Sequence, residues 1–495
     1  MSRTAVVIGA GAAGILAAAA LSRVVDQVVV LERDALPDGP ENRRGVPQGR
    51  HAHLMMAGGL DAMDTLIPGT DMRKHLIASG AHEISLSRDM VVFTSGGWFH
   101  RWRHADPLIV TCSRALLDWA IRTAVVKSLG NIAIRQAKAV GLLGDSGRVR
   151  GVRIATVAPD TPFDAGFTAE YGLRLSADGG EADLYADFVV DASGRGSRIA
   201  TWLGGLGITD IPERTLDSGL VNSTRLYRIP EGAESWPLTM IQPNPFTGGP
   251  ARSGMIVPIE GRRWMVSLGG SRGGEPPKDP DAFLRYALDL PHPIVGRLIA
   301  GAEPLTDVFT SHSTSNARRY LERAAVWPEN LVVLGDALAT FNPLYGQGMS
   351  VAALGAQALA RTVRQRWGSR GLARRVQREV ATSVDAAWTL AVSSDVLYPH
   401  VIGGAPTAAD RLAAQYTRRL TRSATGSYAA ASALFDVTSM RSSALRLMRP
   451  GPLLAALTGP ALPSLSGPPL TPAEHETLSG LIRTGQTGQG PKPPA

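Results

Sequence analysis

Residues 5–33 carry a pattern of two apolar runs that flank a helical stretch. Residues 5–8 form a short, mostly β-branched run, which is typical of a buried parallel strand. The Ala-rich stretch at 15–25 has no helix breaker and predicts a helix. A second apolar run at 28–31 predicts the next strand. The N-terminus is therefore predicted to form a strand–helix–strand unit.

Glycines stand at the turn between the first strand and the helix. Gly9, Gly11 and Gly14 form the pattern G-x-G-x-x-G, with Ala13 inside it. The first glycine permits a tight turn, the second lets backbone approach a pyrophosphate, and the third lets the helix pack closely on the strand. A helix N-terminus also offers free N–H groups to an anion. This segment therefore predicts a phosphate-binding turn.

An acidic residue ends the second strand. Glu32, followed by Arg33, stands where a carboxylate accepts hydrogen bonds from an adenosine ribose. Strand, glycine turn, helix, strand and acid occur in the order that a dinucleotide-binding unit requires. The glycines also interrupt the apolar run too early for a secretory signal. Dinucleotide binding is the function that this unit predicts.

Two later segments repeat the change from apolar strand to glycine turn. A run at 184–190 ends in Asp191-Ala-Ser-Gly194, and a run at 330–334 ends in Gly335-Asp336. Asp336 at a strand end can bind a sugar-like hydroxyl or cap its own turn. The loop that follows precedes a long Ala-rich helix at 350–367. One parallel sheet is thus predicted to assemble from distant segments.

The rest of the chain alternates in the manner of antiparallel strands and then becomes helical. The predicted fold class is α/β (α+β), a Rossmann-like domain with an inserted β-sheet domain and a C-terminal helical region. The predicted segments are residues 1–80, 113–214 and 323–370 for the dinucleotide-binding domain, 81–112 and 215–322 for the inserted sheet, 371–484 for a helical cap and 485–495 for a disordered tail.

Composition narrows the class of protein. The net charge is +8, but no long basic tract is interleaved with aromatics, so nucleic acid is not an expected partner. No uncharged apolar run beyond the N-terminal unit reaches the length of a membrane span. The single cysteine, Cys112, excludes an internal disulfide and a cysteine-based metal cluster. These features predict a cytoplasmic protein.

Several other side chains are candidates for a site. Arg114 opens a predicted helix, where a cation opposes the helix dipole unless it binds an anion. His51 and His53 lie in a glycine-rich loop, but no third ligand has a fitting spacing, so no metal is expected. Aromatic candidates to line a substrate pocket are Trp98, Trp102, Phe246 and Trp388. Trp98 and Trp102, which follow a turn in predicted strands, could instead belong to the core.

Taken together, three motifs resemble the signatures of FAD-dependent monooxygenases of the para-hydroxybenzoate hydroxylase fold. They are the glycine turn with Glu32, the segment 191–198, and Gly335-Asp336 with the loop 343–349. The resemblance spans residues 3–370 and implies that the cofactor is FAD. It also implies that Glu32 binds the adenosine ribose, and that Asp336 binds the ribityl chain or the diphosphate.

The resemblance assigns roles to further residues. Arg43 and Arg114 match positions that contact phosphate or ribityl groups, and Asp191 and Gly194 belong to the middle motif. The loop would lie against the pyrimidine edge of the flavin and carry the oxidant-side residues. These are Pro343, Gly346, Gln347, Gly348 and Met349. No protein nucleophile or acid–base residue is assigned.

A narrower resemblance concerns the flavin epoxidases of polyether biosynthesis, the monensin and lasalocid epoxidases. The segments 43–53, 191–198, 257–264 and 341–349 carry it, with Asn316-Ala-Arg-Arg-Tyr-Leu-Glu in support. It implies epoxidation of a hydrophobic polyene by a flavin C4a-hydroperoxide formed from O2, as a step in antibiotic biosynthesis. The alternatives are an aromatic hydroxylase, a prenyl-chain reductase and a non-catalytic carrier of the same fold.

The middle motif departs from the hydroxylase pattern. Ser193-Gly194 stands where those enzymes hold an Asp-Gly step associated with flavin and nicotinamide binding. The electrons are expected to come from NAD(P)H, either directly or, because this step is replaced, through a separate flavin reductase. The halogenase motif Trp-x-Trp-x-Ile-Pro is absent from the sequence, and only Trp98-Phe-His-Arg-Trp102 comes near it. Halogenation is not expected.

Overall fold

The computed structural model describes residues 2–43, 45–104, 106–157, 163–176, 180–312 and 315–487. The helices in these ranges are α1 (Ala12–Leu21), α2 (Ala57–Leu66), α3 (Met72–Ala78), α4 (Arg114–Ser128), α5 (Ala165–Tyr171), α6 (Ile199–Gly205), α7 (Pro280–Leu288), α8 (Ile294–Ile299), α9 (Gly348–Arg366), α10 (Leu372–Asp395), α11 (Ala408–Ala424), α12 (Tyr428–Thr438), α13 (Pro450–Thr458) and α14 (Pro472–Thr487).

The strands of the same ranges fall into five sheets. They are β1 (Thr4–Ile8), β2 (Gln27–Glu32), β3 (His53–Met55), β4 (His82–Ser85), β5 (Met90–Thr94), β6 (Gly97–Trp98), β7 (Leu108–Cys112), β8 (Ile132–Gln136), β9 (Lys138–Gly144), β10 (Val149–Ala155), β11 (Arg174–Leu175), β12 (Glu181–Tyr185), β13 (Phe188–Asp191), β14 (Glu213–Asp217), β15 (Val221–Arg228), β16 (Leu238–Ile241), β17 (Arg252–Ile259), β18 (Arg263–Gly270), β19 (Phe309–Ser311), β20 (Ser315–Arg319), β21 (Leu331–Val333) and β22 (Ala339–Thr340).

One five-stranded parallel sheet has the order β21-β13-β1-β2-β8. Its strands come from widely separated parts of the chain. The central strands β1 and β2 are apolar along almost their whole length, and residues 5–7 and 28–30 are fully buried. Parallel strands that are covered on both faces need this composition. The predicted assembly of one sheet from distant segments is confirmed.

The apolar run at 184–190, which was predicted to be a single strand, contains parts of two strands. β12 pairs with β10 in an antiparallel sheet, whereas β13 lies beside β1 in the parallel sheet. The chain changes sheets at Asp187, whose carboxylate accepts a hydrogen bond from the Thr4 N–H at 2.9 Å. Because buried residues continue on both sides of this turn, hydrophobicity alone does not reveal it.

Helix α1 is buried almost all round, because it lies against the parallel sheet and against α9. Its alanines let backbone come close on several sides, which explains why the helix lacks a polar face. α9 packs in turn on α2 and α10. The third motif, which leads into α9, is thereby held against the first motif, which leads into α1.

A seven-stranded sheet forms the inserted domain, in the order β19-β15-β18-β17-β16-β5-β6. β15, β17 and β18 pair antiparallel over their full length. β5 and β6 come from the earlier segment 81–112 and join this sheet. β7 of that segment instead pairs with both β3 and β4 in a separate three-stranded sheet. The inserted domain is therefore built from two parts of the chain.

The C-terminal region is helical and folds back onto the inserted domain. α11, α12 and α13 surround a small core that includes Leu420, Ala431 and Ala455. α14 packs on α8, and Arg101 pairs with Glu474 at 2.7 Å. The predicted tail began at residue 485, but residues 485–487 close α14. The remainder of that prediction lies outside the described residues.

Candidate functional site

The three predicted motifs lie side by side at the carboxyl edge of the parallel sheet. A Cβ atom on Gly9 would lie 2.6 Å from the carbonyl oxygen of Ala192, in the second motif. One on Gly335, in the third motif, would lie 2.7 Å from the Cβ of Ala13. Such approaches leave no room for a side chain. The structure therefore brings the motifs together at distances that require glycine.

The first turn has the geometry of an anion site. Gly9 has a φ of +99°, and a Cβ on Gly14 would lie 1.8 Å from the Gly9 oxygen. A Cβ on Gly11 would meet no heavy atom within 4 Å, so the turn is open on that side. Among the described residues, none accepts a hydrogen bond from the N–H groups of residues 11–14. These donors and the helix dipole point to an anionic ligand.

Glu32 lies at the end of β2 and is buried among hydrogen-bond donors. One oxygen, Oε2, accepts from the Ala10 N–H at 2.9 Å and from Arg43 Nη2 at 2.5 Å. The other, Oε1, accepts from the Asp34 N–H at 3.1 Å. A carboxylate oxygen has two lone-pair sites, so one remains at Oε1. Arg33 is exposed and lies near Asp34 at 3.7 Å.

Asp191 is fully buried, and its carboxylate organises the second motif. Oδ1 accepts from the Ser193 hydroxyl and Oδ2 from the Ser197 hydroxyl, both at 2.6 Å. Burial raises the pKa of Asp191, and the two serines oppose that rise. Gly194 supplies the positive φ of +80° that the turn requires. The side chain of Asp191 therefore shapes the turn of the second motif.

Asp336 differs from Asp191 because no described residue donates a hydrogen bond to its carboxylate. It is partly buried in the 3₁₀ turn Gly335–Ala337. Burial raises the pKa of Asp336, and the positive charges of Arg195 and Arg114 act against that rise. A carboxylate in this setting is an acceptor without a partner, as expected of a ligand-binding group.

Arg114 has a carboxylate partner on its own helix, although a bound anion was its predicted partner. Its Nε donates to Asp118 at 2.8 Å, one turn along α4. Its Nη1 lies 3.4 Å from His53 Nε2. Asp118 thus balances the cation at the helix N-terminus. The position of Arg114 near Asp336 still adds positive charge to the site.

His51 joins the glycine-rich loop to the inserted sheet. Its Nδ1 lies 2.8 Å from the Thr224 hydroxyl, which lies 2.6 Å from the Ser267 hydroxyl. Burial lowers the pKa of His51 to about 4, so the ring is neutral at pH 7. His51 therefore has a hydrogen-bonded structural role between the loop and the sheet.

The loop 342–349 precedes α9 and forms the third side of the site. It contains the 3₁₀ turn Pro343–Tyr345 and then Gly346, with a φ of +63°. A Cβ on Gly346 would lie 3.4 Å from Met56 Cε and 3.7 Å from Leu54 Cδ1. The loop therefore runs along the chain segment that follows the Arg43–His51 region.

Unused hydrogen-bonding groups are concentrated where this loop enters α9. Among the described residues, none accepts from the N–H groups of Gly348, Met349 and Ser350. The Gln347 side chain is buried, and its Oε1 has no donor. A buried acceptor without a partner costs about 1–3 kcal/mol unless a ligand satisfies it. The loop thus presents both donors and an acceptor at its junction with α9.

The inner face of the seven-stranded sheet lies next to the same loop. A Cβ on Gly269 would lie 2.6 Å from Leu344 Cδ2, and 2.9 Å from both Asn222 Oδ1 and Ser253 Oγ. An apolar cluster packs against this face farther along. Leu54 and Met56 in it are buried, whereas Leu226, Met240, Met255 and Phe435 are only partly buried. The face therefore has a polar edge near the loop and partly buried apolar side chains beyond it.

The four aromatic residues predicted to line a pocket do not form one cluster. Trp98 packs edge-on against Phe93 in the core of the inserted domain. Trp388 is buried in the large core that contains the parallel sheet. Trp102 lies near Tyr428, and Phe246 lies under the guanidinium of Arg418. For Trp98, the competing interpretation as a core residue fits its position, and Trp388 is also a core residue.

Some of the residues that shape the site were not predicted from the sequence. Ser193, Ser197, Asn342 and Asp395 hold turns by side-chain hydrogen bonds. Ser and Asn within glycine-rich turns are a general signal for such bonds. The hydrogen bonds of Asp395 join residues far apart in the chain, so no local pattern indicates them.

The described part of the chain supports neither a metal site nor a membrane-spanning helix. No group of three or more His, Cys, Asp or Glu side chains there has an arrangement that would hold a metal ion. No helix in the same ranges combines the length and apolar composition that a bilayer crossing requires.

Solved structures with the same overall arrangement are flavin-dependent enzymes. The flavin-dependent brominase Bmp2 superposes with a TM-score of 0.59 at 14% identity, covering 92% of this chain and 97% of its own. PqsL, a probable FAD-dependent monooxygenase from Pseudomonas aeruginosa, has a TM-score of 0.55 at 16% identity, covering 79% and 96%. At these low identities the superpositions show the fold alone, which is of the para-hydroxybenzoate hydroxylase type.

A sequence relative gives a closer relationship. Protein Rv3254 of Mycobacterium tuberculosis (strain ATCC 25618 / H37Rv) is 30% identical over 416 residues, which cover 80% of this chain and 81% of the relative. No family model matches the chain. At this identity and coverage, the chain belongs to the family of Protein Rv3254 and has the fold of the flavin-dependent monooxygenases.

Proposed function

We propose that the chain is an FAD-dependent monooxygenase and that FAD lies against the three converging turns. The observation that carries the proposal is the set of unused polar groups at one sheet edge. They are the N–H groups of residues 11–14, the carboxylate of Asp336, and Gln347 Oε1 with the N–H groups of residues 348–350. When bound and reduced, FAD supplies O2 activation for the transfer of one oxygen atom.

Each unused group has a counterpart in FAD. The N–H groups of residues 11–14 suit the diphosphate, and the free lone pair at Glu32 Oε1 suits a ribose hydroxyl. Asp336 suits a hydroxyl of the ribityl chain. A flavin pyrimidine has two carbonyls and one N–H, which match the N–H groups of residues 348–350 and Gln347 Oε1. The residues therefore fit the cofactor.

The substrate that we propose is an alkene of a hydrophobic polyene polyketide. The resemblance to polyether epoxidases supports it, and so does the apolar surface beside the loop 342–349. An alkene is itself the nucleophile toward an electrophilic oxygen, so the protein needs no base at this step. Its tasks are to hold the alkene, to donate hydrogen bonds from the loop backbone and to keep water out.

Electrons are proposed to come from NAD(P)H through a separate flavin reductase. Ser193 replaces the acidic residue that the hydroxylases have in the middle motif, and its hydroxyl donates to Asp191 at 2.6 Å. This side chain is therefore engaged within its own turn. An assay with and without added reductase separates direct from indirect reduction by the nicotinamide.

The test uses purified protein, FAD, a flavin reductase with NADH and isotopically labelled O2. Polyenes and phenols are supplied as alternative substrates, and products are analysed by mass. The proposal predicts one labelled oxygen in an epoxide. Label in a ring hydroxyl would indicate an aromatic hydroxylase, and alkene loss without label would indicate a reductase. A protein that takes up no FAD would be a carrier of this fold.

A further inference from the structure

Asp395 is the last residue of α10, and its side chain is 2% exposed. Its Oδ2 accepts from Asn316 Nδ2 at 2.7 Å and from Asn342 Nδ2 at 2.8 Å. Its Oδ1 accepts from the Tyr345 hydroxyl at 2.7 Å. Three donors from two segments of the chain therefore converge on one carboxylate. Two of them belong to the loop 342–349.

The orientations of both amides are determined by their other hydrogen bonds. Asn316 Oδ1 accepts the backbone N–H of Asn342 at 2.6 Å, so its Nδ2 must face Asp395. Asn342 Oδ1 accepts the Leu344 N–H at 2.9 Å, so its Nδ2 also faces Asp395. Amide assignments of this kind follow from the network and not from the atoms themselves. Asp395 is thus surrounded by donors.

A ring of donors favours the ionised carboxylate, which only accepts hydrogen bonds. Burial raises the pKa of Asp395, and the hydrogen bonds from Asn342, Tyr345 and Asn316 lower it. Among the described residues, no Lys, Arg or His forms an ion pair with it. The three neutral donors alone compensate the buried charge, so the loss of any one of them is costly.

We propose that Asp395 is a positioning residue that holds the loop 342–349 in its flavin-binding conformation. This inference rests on the proposed function and adds to it a role for the C-terminal helical region. Through Asn342 and Tyr345 the carboxylate sets the turn that leads into Gln347 and the first N–H groups of α9. These are the groups assigned above to the flavin pyrimidine.

The principal test is Asp395→Asn, which keeps the shape but places an NH2 group against a donor. The expected protein folds and binds FAD through the glycine turn, with a shifted visible flavin spectrum. In the reductase assay without substrate, peroxide release rises about tenfold, the size expected from one lost buried hydrogen bond. Tyr345→Phe removes a single donor and should cause a smaller change of the same sign.

The matched control is Glu379→Gln on the same helix, where Glu379 forms an exposed pair with Arg361 at 2.7 Å. It should leave the spectrum and peroxide release unchanged, because exposed pairs contribute little. If Asp395→Asn does not fold, Tyr345→Phe decides. Wild-type spectra and peroxide release in both variants would overturn the positioning role. Wild-type protein that takes up no FAD would instead overturn the proposed function.

Discussion

Arg43 and Glu32 form a buried ion pair, with 2.5 Å between Nη2 and Oε2. The two side chains are 5% and 9% exposed. Arg43 Nη1 also donates to the Ala10 oxygen at 2.9 Å. The loop that follows β2 is therefore anchored to the glycine turn by a charge pair that water scarcely reaches. The pair orients the carboxylate to which we assign the adenosine ribose.

Arg43→Met is predicted to destabilise the protein and to weaken FAD binding. The substitution leaves Glu32 charged and buried without its counter-ion, a change that typically costs about 3–5 kcal/mol. FAD affinity should fall about tenfold or more, because the carboxylate loses the partner that orients it. Urea unfolding and fluorescence titration with FAD measure the two effects.

Arg33→Met is the control for that experiment. Arg33 is 63% exposed and lies 3.7 Å from Asp34, so its removal should change the free energy of unfolding by less than about 1 kcal/mol. Equal losses of unfolding free energy and of FAD affinity in Arg33→Met and Arg43→Met would show that the buried pair has no special role.

Asp336→Asn is predicted to stabilise the protein without cofactor and to weaken FAD binding. The wild-type carboxylate is partly buried without a hydrogen-bond partner, so its neutral analogue should raise the free energy of unfolding by roughly 1 kcal/mol at pH 7. FAD affinity should drop about tenfold. A variant that loses stability and keeps its affinity would mean that Asp336 is only a cap.

The stability gain of Asp336→Asn should depend on pH in a defined direction. Burial raises the folded-state pKa of Asp336 above its ordinary value of 3.8, so ionisation opposes folding. The wild type therefore loses stability as pH rises through the raised pKa. The advantage of Asp336→Asn should be present above that pKa and vanish below pH 3.8. The exposed Asp281 supplies the control, Asp281→Asn.

His51 should make the protein sensitive to acid. Its pKa falls from 6.5 to about 4 on folding because of burial, so its contribution is complete above pH 6.5 and is lost as pH falls toward 4. Between pH 7 and pH 5, this one group should lower the free energy of unfolding by about 2 kcal/mol. His51→Gln should flatten the pH dependence of urea unfolding, and His475→Gln, at an exposed position on α14, should not.

The regular parts of the site were predictable because they depend on local sequence. Gly9, Gly14 and Glu32 occupy a strand–turn–helix–strand unit whose geometry follows from chain order. The parallel sheet could also be anticipated, since β13 and β21 each end in a glycine turn.

The irregular parts depend on contacts between distant residues, which no period in the sequence encodes. The resemblance assigned Arg43 to the cofactor; its two Nη groups donate to Glu32 and Ala10, and no described residue accepts from its buried Nε. Arg114 was assigned to an anion by the same resemblance and by its place at a helix start, and Asp118 pairs with it in the structure. The sequence could not give these partners, because the pairing of each arginine depends on the folded chain.

Gly14→Ala is the reference variant for an FAD titration that tests the glycine turn. A Cβ there would lie 1.8 Å from the Gly9 oxygen, so the variant should lose both stability and FAD. Gly11 is different, because its φ of −70° and ψ of 173° suit alanine and its Cβ would face open space. Alanine lowers the entropy of the unfolded chain but is a poorer N-cap for α1 than glycine. These two effects oppose each other, so Gly11→Ala should unfold close to the wild-type temperature.

The most direct test is an FAD titration of apoprotein from the wild type and Gly11→Ala, with thermal unfolding of both. If the diphosphate lies where backbone must approach it, the wild type binds one FAD per chain. Gly11→Ala then binds it at least about tenfold more weakly at unchanged stability. A wild type that binds no FAD, or equal affinity in both proteins, would contradict the assignment of the three converging turns to this cofactor.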